Sequence, residues 1–158
     1  EATVTNGVHA VSTVLQNDGY AYSYIVTGDA NAELKIILGG AGGQFSSSGT
    51  FTSKIIDAST SAAFNYFLQT YTAPNQTSLQ FQVAIASAVN GSCTNANFTY
   101  LGPDGTVNTY YTAPGAVPLL TNGSYVNPGR CARYKAFFAS NDSSVSPILY
   151  DATFNYSP

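Results

Sequence analysis

Residues 77–89, TSLQFQVAIASAV, set Leu79, Phe81, Val83 and Ile85 against Gln80, Gln82, Ala84 and Ala86. This is the period-2 signature of a half-buried strand, and it decides the fold class. The same pattern recurs. Residues 20–27 place Tyr20, Tyr22, Tyr24 and Val26 on one face, and 33–38 (ELKIIL) and 50–57 (TFTSKIID) are further β-branched runs. Phe98, Tyr100 and then Val107 to Tyr111 flank Gly102-Pro103-Asp104-Gly105, a strong hairpin-turn signal. Residues 131–139 and 148–156 read as the last two strands, joined by Asn141-Asp142-Ser143-Ser144. Val117 to Val126 reads as an irregular edge, because Pro118 and Pro128 cannot donate to a ladder. Residues 59–69 fit either a short helix capped by Ser59 or Thr60 or another strand. Short strands with regular turn signals predict an all-β fold, an antiparallel sandwich of immunoglobulin-like or pilin-like type.

Charge narrows the function classes. Only 8% of the 158 residues are charged, against about 25% in an ordinary soluble domain. Five basic against eight acidic residues give a net charge of -3, which supplies no cationic footprint for nucleic acid. No apolar run is long enough for a membrane-spanning helix. Aromatic and β-branched residues are too abundant for a disordered chain.

Three features point to an oxidising, extracellular compartment. The chain begins at Glu1 and contains no Met, as expected after removal of a secretory signal. Cys93 and Cys131 are the only cysteines and form no CxxC pattern, so one structural disulfide is expected. Asn75, Asn90, Asn97, Asn122, Asn141 and Asn155 each open an N-x-S/T sequon. Six sequons are roughly twice what chance gives for 13 Asn among 34 Ser and Thr. Sugar on them would supply the hydration that so few charges do not, and no sequon precedes residue 75.

The residues carry little chemistry, and no enzymatic activity is expected. The single histidine, His9, has no accompanying G-x-S-x-G nucleophile motif. Asp18, Asp29, Glu33, Asp57, Asp104, Asp142 and Asp151 are scattered, mostly through turns. No D-x-D-x-D run favours calcium, and one His with two bridged Cys is too poor a set for zinc. Gly39 to Gly43 lacks the Lys-Ser/Thr ending of a phosphate loop. No catalytic residue, metal or cofactor is expected beyond covalent N-glycans. The Tyr and Phe excess fits either one face of a sheet or a sugar-binding groove.

Residues 1–15 (EATVTNGVHAVSTVL) alternate Ala2, Val4, Val8 and Ala10 with polar residues, and Val11, Val14 and Leu15 extend the apolar content. They read either as the first strand of their own sandwich or as a strand donated to a neighbouring copy. Donation buries an apolar groove and an open edge together, and a heterologous contact of that kind propagates head to tail.

With its alternating N-terminal segment, single Cys pair, sequons and Thr/Asn/Tyr-rich, charge-poor strands, the chain resembles the subunits of archaeal thread filaments. Those are secreted, N-glycosylated pilins similar in architecture to bacterial type 1 pilins. The resemblance implies a tail (1–15) and a head (16–158), with Val4, Val8, Ala10, Val11, Val14 and Leu15 as donor-strand anchors and the six sequon Asn as glycan sites. It also implies identical subunits as partners in a cell-surface filament serving adhesion, cell–cell contact or biofilm, with host or neighbouring cell surfaces as targets. The contrasting expectation is a secreted, monomeric, lectin-like carbohydrate-binding module.

Overall fold

Every strand pair among the described residues is antiparallel, and no helix occurs among them. The computed structural model describes residues 8–15, 20–27, 34–41 and 45–158, and the chain divides into two units, Glu1–Phe45 and Ser46–Pro158.

The first unit is a three-stranded sheet in the order β1 (Val8–Leu15), β2 (Tyr20–Thr27), β3 (Leu34–Ala41). Its register pairs Val14 with Tyr22 and Tyr22 with Leu38. The Thr13 and Ser23 hydroxyls join across it at 2.9 Å.

The second unit contains β4 (Ser48–Thr52), β5 (Ile56–Thr72), β6 (Thr77–Ala86), β7 (Gly115–Ala116), β8 (Thr121–Asn122), β9 (Tyr125–Val126), β10 (Gly129–Ser140) and β11 (Ile148–Ser157). The 17-residue β5 serves two layers. Its start, Ile56 to Ala62, pairs with β10, and its remainder, Ala63 to Thr72, pairs with β11. Ser59, at φ 67°, marks the irregular stretch near the changeover. β10 also carries β6 along Cys131 to Ser140 and β4 along Lys135 to Ala139. The two layers meet face to face. Phe67 of β5 lies 5.8 Å from the Phe81 ring of β6 and 5.6 Å from the Tyr134 ring of β10. Phe64, Phe67, Phe81, Val83, Ile85, Leu101, Tyr111 and Tyr125 fill the sandwich.

Several local expectations change. Residues 59–69 are strand, since Ala62, Phe64 and Phe67 face the core from within β5. The run 50–57 is interrupted between β4 and β5. Residues 98–100 and 107–111 form no ladder of their own. They attach to β6 through the single bridges Val83–Leu101 and Phe81–Tyr111, although the Gly102–Gly105 turn forms as read, with Gly105 at φ 79°. Nor is β6 half-buried: Gln82 (5% exposed), Ala84 and Ala86 are covered as fully as the opposite face. The cover is the segment 92–111, to which the Gln82 amide donates at Val107 O (2.8 Å) and Thr109 O (3.0 Å).

The chain also divides at 45/46, within the expected head of residues 16–158. Of the expected tail, residues 8–15 pair with 21–27 of the same chain, and residues 1–7 lie outside the described residues. The physical reason lies in Tyr20 to Thr27, a β-rich run close enough in sequence to close a local hairpin, which demands less entropy than any distant pairing.

Candidate functional site

The disulfide forms as expected. Cys93 and Cys131 are joined with Cα atoms 5.5 Å apart, and both are buried. This bridge begins a ladder along one face of β10. Phe98 lies under the Arg133 guanidinium at 5.5 Å, Tyr100 under the Lys135 ammonium at 4.4 Å, and Tyr110 meets Phe137 edge-on at 5.2 Å. Every second residue of β10 from 131 to 137 is therefore held by the 92–111 segment. Arg133 also donates twice to Ser53 O, at 3.0 and 2.8 Å, tying β10 to the residue after β4.

All six sequon asparagines are exposed. Asn75 sits in the β5–β6 turn and Asn141 beside it, its N–H donating to Gln76 O at 2.8 Å. Asn90, at φ 50°, turns the chain after β6, Asn97 lies on the covering segment, Asn122 opens the β8–β9 turn, and Asn155 stands on β11. Asn127, which begins no sequon, is 2% exposed.

Of the expected donor-strand anchors, Val8, Ala10, Val11, Val14 and Leu15 lie on β1, whereas Val4 lies outside the described residues. One edge of β1 is taken by β2, and no other described strand pairs with it. A longer edge exists on the second unit. Among the described residues β11 has one strand neighbour, β5. Soluble proteins usually blunt such an edge with Lys, Pro or a bulge. Within its ten residues β11 has no Lys or Pro, one charge (Asp151), and one bulge at Tyr150. The outward face beside it carries Tyr66, Leu68, Ile148 and Tyr150, all exposed.

Carboxylates serve local turns. Arg130 donates to both Asp57 oxygens at 2.7 and 2.9 Å, and this pair, with the Ser59 N–H, holds the Asp57 carboxyl below its usual range. The Thr109 hydroxyl and the Thr106 N–H lower Asp104, and Ser144 lowers Asp142. Burial pushes the Tyr111 and Tyr125 phenols far up, while their hydroxyls donate to Ala116 O and Pro118 O. No group of three metal-ligating side chains occurs among the described residues. No helix among them is long and apolar enough to cross a membrane.

Sequence reasoning missed the role of Asn127 and the burial of Gln69. Asn127-Pro128-Gly129 has the composition of a turn, and nothing in it announces a buried carboxamide. Gln69 is buried within β5 with no hydrogen-bond partner for either side-chain amide atom among the described residues. No protein-family model, curated protein or solved structure matches the chain.

Proposed function

We propose that the chain is a structural subunit of an extracellular filament, secreted, N-glycosylated and joined to identical copies by strand addition. The observation that carries this reading is the β11 edge, ten residues with a single strand neighbour among the described residues and little of the charge or proline that discourages pairing. The donor is the edge of β1 that no other described strand takes, with Val11 and Val14 exposed along the strand and β2 paired on its other side. Donor and acceptor surfaces differ, so the contact propagates head to tail. The exposure of all six sequon asparagines supports the glycoprotein reading. The intramolecular disulfide fits an oxidising compartment. The test is negative-stain microscopy of the full chain beside a chain lacking residues 1–15. Thin fibres from the first and none from the second are expected, with the melting of the second unit retained. Fibres that persist without residues 1–15, or no fibres from the full chain, would overturn it.

A second reading, a carbohydrate-binding module, is favoured by the outward face of β5 and β11, where exposed Tyr66 and Tyr150 stand among Thr70, Asp151 and Thr153. Saccharide titration of wild type and Tyr150→Ala separates the two, since a filament subunit shows no saturable, Tyr150-dependent binding.

A further inference from the structure

Two of the sequon asparagines stand in paired strands, and each lies directly across its ladder from a tyrosine. Asn122 of β8 is opposite Tyr125, whose side chain is fully buried and offers no surface. Asn155 of β11 is opposite Tyr66 of β5. The pair before it, Phe154 and Phe67, points into the core, so Asn155 and Tyr66 share the outward face. Phe67 meets Phe154 at 5.0 Å on the inner side, whereas Tyr66 is 40% exposed and no ring packs on it among the described residues. Its other ladder neighbour, Ala116 of β7, is too small to cover it. The rest of the sequon is held in place. The Tyr156 ring lies 5.1 Å from that of Phe64, and Asn65 Nδ2 donates to Ser157 Oγ at 3.1 Å.

We infer that the Tyr66 ring is the docking platform for the first sugar carried by Asn155. The docking rests on the glycoprotein reading above and names the surface that receives the glycan. Directly opposed residues of an antiparallel pair have Cβ atoms about 4.5–5.5 Å apart, and both side chains rise from the same face. A pyranose linked to Asn155 Nδ2 therefore stands beside the phenol ring at stacking distance. The face of that ring is the negative side of its quadrupole, and the C–H groups lining one face of a pyranose carry partial positive charge. The covalent tether keeps the sugar at high effective concentration over the ring, so a contact too weak to capture a free saccharide suffices. A sugar so placed leans over β5, away from the edge of β11 to which a strand would add.

A stability cycle on the full chain from an N-glycosylating host provides the test. Peptide mapping should find sugar at Asn155. Asn155→Gln removes it and should lower the folding equilibrium constant roughly threefold to fivefold. The loss should be the same in Tyr66→Phe, which keeps the ring. In Tyr66→Thr, which keeps strand propensity, it should shrink to within about 1.5-fold. In chain made without sugar, Asn155→Gln should stay within about 1.5-fold in every background, which separates the sugar from the carboxamide. NMR of the wild type gives a reading independent of stability. The sugar C–H protons at Asn155 should be displaced upfield by the ring current and should show cross-relaxation with the Tyr66 ring protons. A glycan at Asn155 whose removal costs the same with and without the ring, or whose protons show neither effect, would overturn the docking and leave the glycoprotein reading standing. Sugar at other sequons with Asn155 bare would do likewise, and bare asparagine at all six would overturn both.

Discussion

Asn127 holds the main chain of Phe64 as a neighbouring strand would: its Oδ1 accepts from Phe64 N–H at 3.0 Å and its Nδ2 donates to Phe64 O at 2.9 Å. The same Nδ2 donates to Pro118 O at 2.9 Å, so one buried carboxamide closes the side of β5 not occupied by β11. Beside it Val117 N–H donates to Asn65 O, and β7 pairs with Tyr66 and Phe67. The free edge of this layer is thereby assigned to β11.

Asn127→Ala leaves Phe64 N–H and Phe64 O unpaired in the core, while Pro118 O keeps the Tyr125 hydroxyl. Unsatisfied buried groups cost about 1–3 kcal/mol each, so a loss of about 2 kcal/mol or more is expected in urea unfolding. Asn127→Asp should be at least as damaging, because the carboxylate has no donor and buries a charge. A loss under about 1 kcal/mol for Asn127→Ala contradicts the stand-in role.

The Cys93–Cys131 bridge fastens the start of the covering segment to β10. Replacing both by Ala should lower stability by about 3–4 kcal/mol from the loop it closes. It should also raise hydrogen exchange at Ala96 and Leu101, whose amides donate to Cys93 O and Val83 O, more than at Phe64. Uniform loss of protection across the sandwich would count against a local clamp.

Stability should fall at both ends of the pH scale. Asp57, Asp104 and Asp142 are depressed in the folded chain, so their contribution is full above the unfolded value near 3.8 and is lost as pH falls through the folded values. Tyr111 and Tyr125 are raised, so their contribution is full below the unfolded value near 10 and is lost as pH rises toward the folded values. Melting temperature should therefore be level from about pH 5 to 9 and fall outside that range. Asp104→Asn should flatten the acid limb and Tyr125→Phe the alkaline limb. Unchanged limbs in both variants contradict the assignment.

Peptide mapping of the protein from a host that N-glycosylates should find sugar at the exposed asparagines 75, 90, 97, 122, 141 and 155. Enzymatic removal should reduce solubility, because few charges hydrate the surface. Bare asparagine at all six positions contradicts the glycoprotein reading.

The strands were legible because Leu79, Phe81, Val83 and Ile85 alternate, and the disulfide because only one pairing existed. Periodicity did not reveal what would cover the other face of β6. That cover comes from Gln82 reaching the carbonyls of Val107 and Thr109, and from rings resting on Arg133 and Lys135, contacts between distant segments that leave no local pattern. The N-terminal pattern gave β1 correctly but not its partner, since an apolar alternating strand suits an edge in its own chain or in another equally well. Asn127 was illegible for a related reason: its function is set by where β5 passes, 63 residues away.

Hydrogen exchange along β11 tests strand addition most directly, by comparing assembled with dissociated protein. Strand addition requires the outward amides of Ile148 to Ser157 to become protected on assembly, together with those of β1, while the β5–β10 amides, already paired, stay unchanged. Equal exchange at β11 in the two states, or protection confined to other edges, would contradict it.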